Sequence, residues 1–183
     1  MQRSALLHPQ AMDHDSYTDA YIRDILVRHR VIATVGASPK EQRPSFFVMK
    51  YLLTKGFEVI PVNPGHAGKT ILGQSVFGSL GDIDRPVEIV DVFRNSEAVL
   101  PIAKEAIRIG AKVVWMQLGV RNDAAASLAE DAGLKVVMNR CPKIEYGRLS
   151  GEIGWAGVNS RVLSSRRAVL GSKGGQQRAL RED

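Results

Sequence analysis

Residues 31–45 read VIATVGASPKEQRPS: an apolar run from Val31 to Val35, then Gly36, a small and basic loop, and an apolar helical pattern starting just after Pro44. A buried parallel strand that runs through glycine into a helix leaves backbone N–H groups unpaired at the helix start, where the helix dipole adds partial positive charge. Gly36 and Ala37 keep this loop small, Ser38 and Ser45 bring hydroxyl donors, and Lys40 and Arg43 bring full charges. The stretch therefore suits a phosphate group at the carboxyl edge of a sheet. The competing reading is ordinary α/β grammar with a solvated basic loop. The G-x-G-x-x-G spacing of a dinucleotide site is absent, because only Gly36 is glycine.

The 183 residues suggest one domain plus tails. With 44% hydrophobic and 24% charged residues the composition is that of a soluble globular protein, expected in the cytoplasm. A formal charge of +6 suits a polyanionic partner, either a phosphorylated small molecule or nucleic acid. Cys141 is the single cysteine, so neither an intramolecular disulfide nor a multi-cysteine metal site forms. No apolar run reaches the length of a membrane span, and the first residues are too weakly apolar for a signal peptide.

Along the chain, residues 1–14 read as a loose arm, 15–149 as the domain, and 150–183 as a basic, partly disordered extension in which Trp155 still packs. Residues 17–30 predict a helix capped by Asp15 or Ser16 and lying on the sheet. A second helix runs from about Ser45 to Gly56. Strands are predicted over 57–62, 87–93, 112–118 and 134–138, with helices from Ser96 to about Ile109 and from Asn122 to Ala132. The glycine-rich stretch 65–79 is too irregular for a crossover helix, and it brings His66 and Lys69, either of which suits phosphate. Asp91, inside an apolar strand, is expected to bond loop backbone near the strand end. The second strand ends in Asn63 rather than in the carboxylate that an NAD site uses on ribose.

Near-continuous apolar strands alternating with helices define an α/β, Rossmann-like, doubly wound parallel sheet of five main strands with right-handed crossovers. Counted along the chain, the expected spatial order is 3-2-1-4-5. It gathers the loops 36–45, 62–69, 93–96 and 117–121 at one edge.

The stretches VGASPKEQRPS, VIPVNP, VDVFRNSE, VVWMQLGVRN and NRCPKIEYGRL, in this order, resemble small stand-alone members of the CoA-binding domain family over residues 31–149. A more distant likeness runs to the N-terminal domain of the succinyl-CoA synthetase alpha subunit, through the loop 64–69 and Cys141-Pro142. The resemblance implies a CoA or acyl-CoA ligand. Its pyrophosphate would lie on Gly36, Ala37, Ser38, Lys40, Arg43 and Ser45, its adenosine along Val62, Asn63 and Pro64, with Phe93 and Arg94 as the opposite wall. Lys69 would stand in for a lysine of the synthetase. It also raises a mixed disulfide between the CoA thiol and Cys141, against the reading of a buried, inert cysteine. The synthetase domain that carries a phosphorylated histidine has no counterpart here, so the expected role is binding without catalysis, with a protein partner or a second copy of the chain as a further expectation. Two other readings compete: an NAD(P)-dependent oxidoreductase, and a nucleotide-responsive nucleic-acid binder acting through the basic tail, which lacks aromatic residues after Trp155. Nucleic acid and membrane are disfavoured as partners.

Overall fold

The computed structural model describes residues 12–152. In chain order these form α1 (Asp19–Arg28), β1 (Val31–Val35), α2 (Pro44–Thr54), β2 (Glu58–Val62), a small hairpin of β3 (Thr70–Ile71) and β4 (Gln74–Ser75), β5 (Ile89–Val92), α3 (Val99–Arg108), β6 (Val113–Met116), α4 (Asp123–Asp131), β7 (Lys135–Val137) and α5 (Pro142–Leu149). The calls on Trp155 and the basic tail lie outside the described residues. Among the described residues no helix is long and apolar enough to cross a membrane.

The five-stranded parallel, Rossmann-like sheet is present, but its order is β2-β1-β5-β6-β7, or 2-1-3-4-5 counting main strands along the chain. The expected 3-2-1-4-5 is corrected on this point, and Pro61 supplies the reason. Glu58 N donates to Arg30 O and Val62 O accepts from Gly36 N, so even-numbered residues of β2 bond β1 and Pro61 faces outward. Proline has no N–H to give a further strand, which confines it to a sheet edge. Phe77 N bonds Pro61 O there at 3.0 Å, and the segment carrying the hairpin covers that edge. β5 takes the other side of β1.

Alternate residues divide the core between the two faces of the sheet. Ala33, Val90, Val114 and Val136 pack with Val99, Ala103 and Ala106 of α3 and Ala125, Ala126 and Ala129 of α4. Ile32, Val59, Ile89, Val113, Trp115 and Val137 pack on the opposite face, with Ile22, Ile25 and Leu26 of α1, Val48, Met49 and Leu52 of α2, and Tyr146 of α5. Helix α5 was not legible as a helix: Gly147 interrupts the pattern, although Pro142 in its first turn is a start signal. It is anchored by buried Glu145, which takes Arg148 at 2.7 Å, while Arg148 also reaches Asp19 on α1 at 2.8 Å.

Three local expectations change. The cap of α1 is Thr18, whose Oγ1 accepts from Tyr21 N, and not Asp15 or Ser16. The helix expected from Ser96 starts at Val99: Ser96 begins a 3-10 turn ahead of α3, and its Oγ accepts from Arg121 N. His14, assigned to the loose arm, bonds Tyr17 Oη at 2.8 Å and lies 3.2 Å from Glu130.

The far edge of the sheet, β7, is closed by side chains. Tyr21 Oη accepts from Val136 N at 3.2 Å and donates to Val136 O at 3.1 Å, and Tyr17 Oη accepts from Met138 N at 2.8 Å. Hydroxyls thus replace the neighbour that an edge strand would recruit. The Tyr21→Phe variant is expected to lose roughly 1–3 kcal/mol, since it strands two backbone groups at once. Urea denaturation checks this, and an unchanged midpoint contradicts it.

Candidate functional site

A cleft of about 570 Å³ opens at the carboxyl edge of the sheet, where β1 lies between β2 and β5. Gly36, Ala37, Ser38, Lys40, Arg43 and Ser45 line it from the loop between β1 and α2, Asn63 from the end of β2, and Phe93 and Arg94 from the end of β5. These nine of the expected site residues are brought together. Val62, Pro64 and Lys69 are not among the lining residues: Val62 is buried with its carbonyl accepting from Gly36 N and Ala37 N, and Pro64 and Lys69 are exposed elsewhere on their loop. The lining also includes Pro44, His66, Gln117, Leu118 and Val120. Gln117 carried a legible signal, a lone polar side chain at the carboxyl end of the apolar run KVVWM.

The loop is held open by its own hydrogen bonds. Ser38 N donates to Ser45 Oγ at 3.1 Å, Lys40 N donates to Ser38 Oγ at 3.2 Å, and Asn63 Nδ2 donates to Ala37 O at 2.8 Å. Each serine oxygen accepts within the loop and keeps an O–H to donate. Arg43, the N-cap of α2, makes no capping bond with its side chain, and Pro44 has no N–H. The start of α2 therefore presents its positive dipole end to the cleft. Lys40, Arg43 and Arg94 pair with no carboxylate among the described residues. A concave surface with a helix start and three cations without a carboxylate partner has the chemistry that suits an anion.

Gly36 sits at φ 90°, and a Cβ there would lie 2.6 Å from Phe93 O and 3.1 Å from Arg94 Cδ. Only glycine lets the ends of β1 and β5 approach so closely.

Beneath the cleft is a buried polar pair. Asp91, 0% exposed, accepts from Gln117 Nε2 at 2.8 Å on Oδ1 and 3.1 Å on Oδ2, so the expected bonds to loop backbone are replaced by a side-chain partner. Burial pushes the Asp91 carboxyl up to about 8, against the lowering pull of Gln117. Cys141 is buried just ahead of α5, and burial raises its thiol to about 11, which favours the inert reading of this residue over the mixed disulfide. Among the described residues no group of three or more His, Cys, Asp or Glu is placed to hold a metal.

The fold is α/β, with a cleft of cationic and hydroxyl side chains at its topological switch point. The chain belongs to the CoA binding domain family, whose model matches residues 30–147. It is 39% identical over 127 residues to the uncharacterized protein YneT of Bacillus subtilis (strain 168), covering 69% of this chain and 93% of that one. A solved hypothetical protein from Pyrococcus horikoshii OT3 is 42% identical with a TM-score of 0.71, over 78% of this chain and 99% of that one. A Thermus thermophilus structure is 34% identical with a TM-score of 0.69, over 72% and 98%.

Two outcomes follow from this geometry. Gly36→Ala meets both the positive φ and the Phe93 carbonyl, and is expected to cost at least about 2 kcal/mol in chemical denaturation; a cost below about 0.5 kcal/mol contradicts the close approach. Asp91 has a folded pKa of about 8 against an ordinary 3.8. Between these values the folded chain keeps a proton that the unfolded chain has released, so this group's contribution lowers stability as pH rises and levels off above about 8. Thermal melts from about pH 5 to about pH 9 should show a larger loss for the native chain than for Asp91→Asn. Parallel declines would refute the assignment.

Proposed function

We propose that this chain is a CoA or acyl-CoA binding module, non-catalytic by itself, that holds the CoA phosphates at the carboxyl edge of its sheet. The observation that carries the reading is the start of α2 set over the Gly36 loop with Lys40, Arg43 and Arg94 uncompensated around it, in a chain of the CoA binding domain family. The pyrophosphate takes the Ser38 and Ser45 hydroxyls and the Arg43 guanidinium, a charge-assisted pairing. Arg94 closes the opposite wall. Asn63 and His66 border the adenosine end, where the lack of a carboxylate suits a 3′-phosphate and disfavours NAD.

The test is calorimetric titration of ligand-stripped protein with CoA, acetyl-CoA, NAD and NADP at a single salt concentration. Binding confined to the CoA species is expected; binding of NADP with silence toward CoA turns the reading to an oxidoreductase. The Arg43→Ala variant is expected to bind CoA about tenfold or more weakly while melting like the native chain. Unchanged affinity in that variant removes the central phosphate contact.

A further inference from the structure

Asp91 and Gln117 lie on the sheet face that packs under α1, α2 and α5, a face that is apolar around them apart from Thr34. A fully buried carboxyl group is costly, and one hydrogen-bonded to a residue of the cleft wall invites a role in the cleft. Acceptance of one amide nitrogen by both Asp91 oxygens is the geometry of a carboxylate, which has no proton to donate. With Nε2 held at Asp91, Oε1 is the amide atom left free of Asp91 in a residue that lines the cleft.

The carboxylic acid gains an O–H to donate and so favours the reverse arrangement. Its O–H donates to Oε1 and draws that oxygen inward, so Nε2 turns outward. The two ends of a primary amide have nearly the same size, so the exchange leaves the packing unchanged.

We infer that Asp91 is a positioning residue whose proton decides whether Gln117 offers the bound ligand a hydrogen-bond acceptor or a donor. The neighbours of Asp91 leave this control to it alone. Its register partners are Thr34 on β1, whose buried Oγ1 has no partner, and Trp115 on β6, whose Nε1 donates to Arg140 O. Cys141, just ahead of α5, is held un-ionised by burial, and α1 and α2 bring Ile22, Ile25, Leu26, Val48, Met49 and Leu52 to this face. Burial and the Gln117 bond alone act on its ionisation, and they poise it near 8, where both states are populated.

The inference rests on the CoA reading and deepens it. Gln117 stands at the end of β6, across β5 from the start of α2, and so beyond the phosphates. The part of CoA that continues past its pyrophosphate is the pantetheine arm, which carries two secondary amides. Where an amide N–H of that arm faces Gln117, Oε1 matches it and Nε2 opposes it, and the ionised state of Asp91 is the one that binds the arm.

The experiment compares acetyl-CoA, whose sulfur does not ionise, with the methyl ester of 3′-phosphoadenosine 5′-diphosphate at its terminal phosphate, which has the same phosphate ionisations as CoA and no arm. Their affinity ratio cancels the ionisation of the phosphates, which is the same in both ligands. Calorimetry on the native chain is expected to show this ratio rising about tenfold from about pH 6.5 to about pH 9, the worth of one hydrogen bond. The rise is expected to vanish in Asp91→Asn and in Gln117→Leu, with no further change in the double variant. A flat or falling ratio in the native chain, or a rise that survives in Asp91→Asn, overturns the inference while leaving CoA binding intact. Failure of the native chain to bind acetyl-CoA at either pH removes the functional reading and this inference with it.

Discussion

The contact on which the cleft depends is the close passage of Gly36 beneath the Phe93 carbonyl. A Cβ at position 36 would stand 2.6 Å from that oxygen, so the loop after β1 reaches the end of β5 only because no side chain intervenes. From this contact the rest of the site takes its place. Asn63 ties the same loop to the end of β2 through Ala37 O, Ser45 holds Ser38 N, and α2 starts with its amino end facing the gap. The loop is braced from both sides, so the groups proposed to bind phosphate are set in advance, which lowers the ordering cost of binding.

A second constraint lies one layer down. The sheet face under α1, α2 and α5 buries Trp115, Tyr146 and a run of aliphatic side chains, yet it also buries Asp91 and Thr34. Aliphatic residues at these positions would give a better-packed core, so their presence costs stability that packing does not return. Asp91 recovers part of that cost through Gln117, which itself reaches the cleft. Asp91 is thus linked through Gln117 to the cleft, whereas the buried residues of the opposite face, under α3 and α4, are apolar.

Both edges of the sheet are closed, by different means. Pro61 turns the β2 edge away from further strand pairing, and Phe77 and the β3–β4 hairpin cover it. At β7 the Tyr17 and Tyr21 hydroxyls occupy the backbone groups, with the two rings stacked at 5.7 Å. An edge served by side chains offers no ladder to a second chain.

The amino-acid sequence by itself determined the layered α/β class, the five main strands and the basic, hydroxyl-rich loop ahead of α2, because each rests on local pattern: apolar runs, glycine and proline stops, and basic residues at a helix start. It also carried the edge position of β2 in Pro61, a signal that outranks the generic strand order. Only the tertiary structure decided which strand lies beside β1, that Asp91 meets Gln117, and that Val62, Pro64 and Lys69 stay out of the cleft. Helix α5 likewise emerged only through its packing, since Gly147 weakens its local pattern. The physical reason is common to all of these. Pairings between residues 26 apart in sequence, such as Asp91 with Gln117, depend on strand register, and register is set by the burial of whole faces rather than by any short stretch of chain.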